Sequence, residues 1–84
     1  MRVDYSRKFL KAASRLPAKI IALADAKENL FKTDPFHSSL ETHKLHGKEK
    51  DVWAFSVNRK YRIKFVFLDG NALFLDIGPH DIYE

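Results

Sequence analysis

Apolar side chains recur at helical spacing in the first part of the chain and at strand spacing in the last part. Residues 7–14 carry an apolar stripe with basic residues on the other side, and Ser6 just before them is a favourable N-cap residue. Residues 17–32 repeat the helical pattern, and Pro17 suits the first turn of a helix. The pattern therefore predicts two consecutive helices. Because the connection between them is short, we expect them to form a helical hairpin.

Four segments alternate apolar and polar residues as β-strands do: 2–5, 52–58, 61–68 and 72–78. The last two are joined by Asp69-Gly70, a dipeptide typical of tight hairpin turns. Residues 36–51, between the helices and the later strands, are polar and irregular and predict a loop. The predicted order of elements is β-α-α-β-β-β.

The same alternation separates the two faces of the predicted sheet. Residues on one face are expected to form the core: Trp53, Phe55, Val57, Tyr61, Ile63, Phe65, Phe67, Leu73, Leu75 and Ile77. The opposite face, called the outer face below, carries mostly polar side chains: Ser56, Asn58, Arg62, Lys64, Phe74 and Asp76. Because sheets twist, we expect the outer face to be concave and basic.

The three later strands cannot bury their apolar face alone, so the helical hairpin must cover it. We therefore predict an α+β fold in which the helical hairpin packs on one face of a small, twisted, mainly antiparallel sheet. A chain of 84 residues is expected to form a single domain over residues 1–84. Its 45% of hydrophobic residues suffices for a small core and argues against disorder.

The chain contains no cysteine and carries a formal net charge of +4. Disulfides, thiolate catalysis and cysteine-based zinc sites are thereby excluded, and the lack of disulfides favours a reducing compartment. No apolar run approaches the ~18 residues of a transmembrane helix and no signal peptide is visible, so we expect a cytoplasmic protein without a membrane partner. The positive charge favours an acidic partner, either RNA, DNA or an acidic protein.

Arg62 and Lys64 share the outer face of one strand and have two interpretations. Either they hold a phosphate, Arg62 through its planar fork, or they form a solvated strand face. Periodicity alone favours the solvated face, since antiparallel sheets commonly keep one face in water. His80 is either a proton-transfer group or an exposed histidine near a chain end. Tyr83 is likewise a proton donor or stacking ring, or a residue packed at the sheet edge.

Three of the four histidines, His37, His43 and His46, lie in the predicted loop. A zinc site is one interpretation of this group, because histidine is a common zinc ligand. Zinc sites need three or four ligands in a defined spacing, and no further pair of ligands supports this one. We expect neither a metal ion nor another cofactor.

Three segments in combination resemble a known family: 45–47 (LHG), 52–63 (VWAFSVNRKYRI) and 75–83 (LDIGPHDIY). They are similar to the RelE/ParE superfamily of toxins from type II toxin–antitoxin systems, and most of all to its YoeB- and YafQ-like members. The resemblance extends over essentially the whole chain. It implies a RelE-like fold and a ribosome-dependent, metal-independent endoribonuclease that cleaves mRNA and is silenced by a cognate antitoxin protein.

The resemblance also implies roles for individual residues. By position, His43 corresponds to the general base, Arg62 to the arginine that stabilises charge on phosphorus, and His80 to the general acid, while Tyr83 lies near a terminal catalytic aromatic residue. The nucleophile would be the 2′-OH of the RNA itself, so that no metal is required. A second group is implied to bind RNA: His46, Lys48, Arg59 and Lys64.

Two other functions are compatible with the same fold. One is a ParE-like inhibitor of DNA gyrase, and the other is a catalytically degenerate toxin that acts only as an antitoxin-binding module. The combination of His43, Arg62 and His80 favours RNA cleavage over gyrase inhibition, and growth arrest on induction would reject the degenerate toxin. If that is correct, these three side chains surround one phosphate-sized space.

Overall fold

One mixed β-sheet with two helices packed on one face makes up the structure. The computed structural model describes residues 1–47 and 50–79. Its elements are, in chain order, β1 (Val3–Tyr5), α1 (Arg7–Ala13), α2 (Ala18–Thr33), a 3₁₀ turn (Ser38–Leu40), β2 (His43–Lys44), β3 (Val52–Ser56), β4 (Tyr61–Leu68) and β5 (Asn71–Pro79). The strand order is β1-β5-β4-β3-β2, with β1 parallel to β5 and the other neighbouring pairs antiparallel. The predicted α+β fold is confirmed.

Both helices begin and end within about one residue of their predicted bounds, because the capping residues were visible in the sequence. The hydroxyl of Ser6 caps α1 by accepting a hydrogen bond from the backbone N–H of Phe9 at 3.0 Å. Pro17 precedes α2, and its carbonyl accepts hydrogen bonds from the N–H groups of Ile20 and Ile21. Within the described residues, no helix has the length and apolar character needed to cross a membrane.

The turn between β4 and β5 is the tight hairpin that the sequence predicted. Asp69 and Gly70 both have positive φ angles, 51° and 80°, and the flanking residues Leu68 and Asn71 pair with each other. Two consecutive positive φ angles define a type I′ turn, whose twist matches that of the strands it joins. Asp tolerates this conformation better than most residues, and Gly adopts it freely.

A cluster of phenylalanine rings forms the centre of the core between α2 and the sheet. Phe31 of α2 is fully buried, and its ring centroid lies 4.8 Å from that of Phe55, 4.8 Å from that of Phe65 and 5.6 Å from that of Phe74. Burying one such ring contributes about 1.5–3 kcal/mol of transfer free energy. This packing fixes which face of the sheet is turned inward and therefore which residues remain on the outer face.

A β-bulge interrupts the pairing of β4 with β5. Lys64 pairs with Asp76, whereas the next residue of β4, Phe65, pairs with Phe74. Leu75 is therefore an extra residue on β5, and the alternation of side chains between the two faces shifts by one position there.

The bulge makes one part of the sequence prediction wrong. The prediction placed Leu73 and Leu75 in the core and Phe74 on the outer face. Phe74 is instead fully buried on the helix side, where its ring centroid lies 5.4 Å from that of Phe9. Leu73 pairs with Val66 on the outer face. Strict alternation cannot be extended through a bulge, and a bulge leaves no simple mark in the sequence.

The segment predicted as a loop contains regular structure at its centre. Ser38–Leu40 forms a 3₁₀ turn, and Leu40 is fully buried. His43 then pairs with Ala54, which adds β2 to the edge of the sheet beside β3. A strand of two residues is too short to show alternation, so only the tertiary structure reveals it.

Candidate functional site

The outer face of the sheet brings together predicted site residues from β2 and β4. One cross-strand row consists of His43, Ala54, Lys64 and Asp76, and the adjacent row consists of Ser56, Arg62 and Gly78. With strands about 4.8 Å apart and residues about 3.4 Å apart along each strand, the Cα atoms of His43 and Lys64 are separated by about 10 Å, and those of His43 and Arg62 by about 12 Å. The spacing places the three side chains over neighbouring parts of the outer face.

His43 is exposed, and a backbone carbonyl sets its tautomer. Its Nδ1 lies 2.9 Å from the carbonyl oxygen of Glu41. Because a carbonyl oxygen only accepts hydrogen bonds, Nδ1 carries the proton in the neutral ring and Nε2 carries the lone pair. An imidazole in this state is suited to remove a proton through Nε2, as a general base must.

Arg62 is half-buried and is tied to the turn that connects β3 and β4. Its Nη1 donates hydrogen bonds to the carbonyl oxygens of Asn58, Arg59 and Tyr61, the latter two at 3.1 and 3.2 Å. These contacts fix the guanidinium beside the second outer-face row. They also occupy Nη1, so an anion would be contacted through Nε or Nη2.

Lys64 faces a carboxylate across the sheet. It pairs directly with Asp76 of β5, and directly opposed residues lie on the same face. The Oδ2 atom of Asp76 lies 3.5 Å from the Nζ atom of Lys8, and its Oδ1 accepts a hydrogen bond from the N–H of Ile77 at 2.9 Å. The outer face is therefore not uniformly basic, because the carboxylate of Asp76 lies among its cations.

The predicted RNA-binding residues His46 and Arg59 do not belong to one contact. His46 lies in the loop that follows β2, and Arg59 lies in the turn that follows β3. Both are exposed, and the length of β3 alone separates them by about 14 Å. They could contact different parts of an extended strand of nucleic acid, but not the same phosphate.

Three predicted site residues, Lys48, His80 and Tyr83, lie outside the described residues. The expected convergence of His43, Arg62 and His80 thus remains a prediction. The structure describes His43 and Arg62, which lie on the same face of the sheet.

The histidines do not assemble a metal site in the part of the chain that the structure describes. His37 has a local role instead, because its Nδ1 accepts a hydrogen bond from the N–H of Ser39 at 3.1 Å and so caps the 3₁₀ turn. Its ring is also within 2.9 Å of the Ser39 hydroxyl.

Two residues on this face were missed by the sequence reasoning. Glu41 has a left-handed backbone, with φ 50°, and its Oε1 accepts a hydrogen bond from the hydroxyl of Ser56 at 3.4 Å. Lys8 belongs to α1, on the basic side opposite the apolar stripe, but it contacts Asp76 on the sheet. The position of Glu41 depends on the pairing of β2 with β3, and the position of Lys8 depends on the bulge in β5. Neither feature is visible in the sequence, so neither residue could be predicted.

Tyr5 shows a shifted pKa on the opposite side of the sheet. Burial, together with a hydrogen bond that its hydroxyl donates to Glu28, raises the pKa of Tyr5 to about 12. Its ring stacks on Phe9 with centroids 5.4 Å apart. This residue joins β1 to α2 and lies away from the outer face.

Known structures with the same architecture are bacterial and archaeal toxins. YafQ from E. coli strain BL21(DE3) is 16% identical and covers 94% of this chain and 92% of its own, with a TM-score of 0.79. The YoeB/ParE toxin from Agrobacterium tumefaciens is 14% identical, covers 95% and 99%, and has a TM-score of 0.78. The archaeal RelE–RelB complex from Pyrococcus horikoshii OT3 matches with 19% identity, 96% of each chain and a TM-score of 0.74.

Sequence comparison adds nothing to these structural matches, since no protein-family model and no curated protein matches the chain. At 14–19% identity, the matches establish the fold. The chain thus has the RelE/YoeB/YafQ-like toxin fold, with a histidine and two basic residues on two adjacent rows of its outer face.

Proposed function

We propose that this protein is the toxin of a type II toxin–antitoxin system and that it cleaves mRNA on the ribosome without a metal ion. The observation that carries the proposal is the grouping of His43, Arg62 and Lys64 on two adjacent rows of one face. Phosphodiester cleavage requires a general base and positive charge to stabilise the transition state. On this face an imidazole with its lone pair on Nε2 can act as the base, and two cationic side chains supply the charge. The toxin fold, shared over more than nine-tenths of the chain, supports the same conclusion.

The reaction would begin with proton transfer from the 2′-OH of RNA to Nε2 of His43. The 2′-oxygen then forms a bond to the adjacent phosphorus, and the bond from phosphorus to the 5′-oxygen breaks. The products are a 2′,3′-cyclic phosphate and a 5′-hydroxyl group. Arg62 and Lys64 would stabilise the additional negative charge on the phosphorane oxygens, which is where fixed cations lower the barrier most.

His80 is proposed to protonate the departing 5′-oxygen, and Tyr83 to orient the nucleotide. Both roles follow from the sequence resemblance. A positioned acid or base contributes about 10²–10⁴-fold to the rate. Among the remaining cations, His46 and Arg59 lie beyond opposite ends of β3 and would contact the RNA strand, or ribosomal RNA, outside the reacting phosphate.

The ribosome and an antitoxin are the proposed partners. A face this small offers few groups that can read base edges, so the selection of the cleaved position would depend on how the ribosome presents the mRNA. This role places the protein in the cytoplasm. The archaeal RelE structure is a complex with RelB, and by analogy a cognate antitoxin would silence this chain.

The proposal is tested by primer extension on an mRNA translated in a cell-free extract. The purified protein is expected to produce discrete 3′ ends, and His43→Ala is expected to lower their rate of formation by about 10²–10⁴-fold. His37→Ala is the matched control, because His37 is an exposed histidine whose ring makes its described hydrogen bonds with Ser39 of the 3₁₀ turn.

Three outcomes would contradict the proposal. Equal cleavage by His43→Ala and the parent protein would remove His43 from the mechanism. Intact mRNA together with inhibition of gyrase in a DNA supercoiling assay would replace RNA cleavage with gyrase inhibition. Intact mRNA without gyrase inhibition would leave only an antitoxin-binding role.

A further inference from the structure

Glu41 has a backbone conformation that is uncommon for its residue type. It follows the 3₁₀ turn and has φ 50° and ψ 39°, in the left-handed region. A residue with a Cβ atom is disfavoured there, so the conformation persists only where surrounding contacts enforce it. Glu41 lies two residues before His43, the candidate base. The strained position thus adjoins the candidate catalytic site.

Contacts on both sides of Glu41 enforce this conformation. On one side, Leu40 is fully buried, and the N–H of Glu41 donates a hydrogen bond at 3.2 Å to the carbonyl of the first residue of the 3₁₀ turn. On the other side, the hydroxyl of Thr42 donates to the carbonyl of Pro35 at 2.6 Å, and His43 pairs with β3. The chain must therefore turn from the core to the edge of the sheet at Glu41.

The left-handed conformation aims the carbonyl of Glu41 at the ring of His43. The carbonyl oxygen lies 2.9 Å from Nδ1 of that ring. An extended residue has ψ of roughly +135°, so an extended backbone at Glu41 would turn this peptide group by about 100°. Such a rotation would remove the carbonyl from Nδ1. The hydrogen bond to His43 therefore depends on the uncommon conformation of Glu41.

The carboxylate of Glu41 makes a separate contact. The register of β2 with β3, continued by two residues, places Glu41 opposite Ser56. The hydroxyl of Ser56 donates a hydrogen bond to Oε1 of Glu41 at 3.4 Å, which is long for an O–H donor. Ser56 in turn pairs with Arg62. The side chain of Glu41 thus lies in the row of Arg62, while its backbone contacts His43.

We propose that Glu41 is a positioning residue for His43 and that it acts through its left-handed backbone, not through its carboxylate. The carbonyl keeps the ring proton on Nδ1 and so keeps the lone pair on Nε2, where it accepts the proton of the 2′-OH. The catalytic consequence rests on the proposed function, whereas the position of the ring proton does not.

Two variants that both lack the carboxylate separate the backbone from the side chain. Glu41→Gly adopts positive φ freely and should keep the ratio of Nδ1-protonated to Nε2-protonated His43 within about two-fold of the parent value. Glu41→Val disfavours positive φ, because a β-branched residue is an outlier there. It should lower that ratio by about five-fold, the factor that one ordinary hydrogen bond supplies.

The ratio is measured from the NMR chemical shifts of the imidazole nitrogens at about pH 8, above the usual titration range of histidine. His43→Gln identifies the signals of His43 by their absence. His37 is an internal reference, because its Nδ1 accepts the N–H of Ser39 and the proton of its neutral ring is therefore on Nε2. In the parent protein the two histidines should show opposite tautomers.

Asp69→Val is the matched control for the change in backbone preference. Asp69 also has a left-handed backbone, with φ 51°, but it lies in the turn between β4 and β5. The same substitution there introduces similar strain away from His43 and should leave the tautomer ratio unchanged. Cleavage of translated mRNA should follow the ratio, with Glu41→Val about five-fold slower than the parent and Glu41→Gly close to it.

The inference is overturned if Glu41→Gly and Glu41→Val show the same tautomer ratio, or if His43 of the parent carries its proton on Nε2. Loss of cleavage in both variants with the parent tautomer retained would make the carboxylate the active group instead. Circular dichroism melting reports whether each variant is folded, and the parent and Glu41→Gly spectra give an answer even if Glu41→Val does not fold. Absence of mRNA cleavage by the parent would overturn the proposed function, and the tautomer ratios would still decide whether Glu41 positions His43.

Discussion

The two described candidate catalytic side chains are each held by backbone carbonyl groups. The carbonyl of Glu41 fixes the tautomer of His43. Two carbonyls of the β3–β4 turn and that of Tyr61, the first residue of β4, hold Nη1 of Arg62. Strand alternation predicted that the side chain of Arg62 lies on the outer face. Its hydrogen bonds to backbone carbonyl groups could not be predicted, because every residue has a carbonyl group and the sequence does not mark which ones it contacts. For His43, the residue type was visible in the sequence, whereas its place beside Ala54 depends on a strand too short to recognise.

At the residue scale, Arg62 is expected to stabilise the fold as well as the transition state. Arg62→Met removes the hydrogen bonds to the turn and should lower the free energy of unfolding by about 1–2 kcal/mol, measured by urea denaturation. Arg59→Met is the control, because Arg59 is an exposed arginine of the same turn and its removal should cost less than about 0.5 kcal/mol. Equal stability of the two variants would show that the three carbonyl contacts of Arg62 are not stabilising in solution.

At the scale of elements, the junction between β1 and α1 controls the geometry of the outer face. Ser6 ends β1, caps α1 and binds the bulge of β5, so one side chain connects three elements. The N-cap role of Ser6 was predictable from the helical pattern that follows it. The hydrogen bond from Ser6 to the carbonyl of Leu75 was not predictable, because it depends on the bulge. The bulge arises from the pairing of β4 with β5 and is not marked in the local sequence. The same bulge explains why Phe74 was assigned to the wrong face.

Ser6→Ala is expected to lower the free energy of unfolding by about 1–2 kcal/mol, because both the helix cap and the bond to the bulge are lost. Ser14→Ala is the matched control at the other end of α1. The hydroxyl of Ser14 donates one hydrogen bond to the carbonyl of Lys11 at 2.7 Å in an exposed position, so its loss should cost no more than about 0.5 kcal/mol. Urea denaturation of the two variants measures the difference, and similar midpoints would contradict the connecting role of Ser6.

At the scale of the whole molecule, the helices bury one face of the sheet and leave the other for chemistry. Phe31 of α2 and the phenylalanines of β3, β4 and β5 pack on the helix side, and His43, Arg62 and Lys64 lie on the opposite side. This division was predictable for β3 and β4, because a core-facing strand residue must alternate with an outward one, but the prediction was wrong for Phe74 of β5, which follows the bulge. The edge strand β2 was not predictable from local sequence, although it supplies the proposed base.

We expect the nucleophile to be the 2′-OH of the RNA, because the outer face offers a general base to deprotonate it and cations to stabilise the phosphorane. The most direct measurement uses ribosomes programmed with mRNA that carries a single 2′-deoxynucleotide on the 5′ side of the scissile phosphate. The all-ribose mRNA should be cut to give a 2′,3′-cyclic phosphate, and the substituted mRNA should remain intact at that position. Cleavage of both at the same rate would contradict the account.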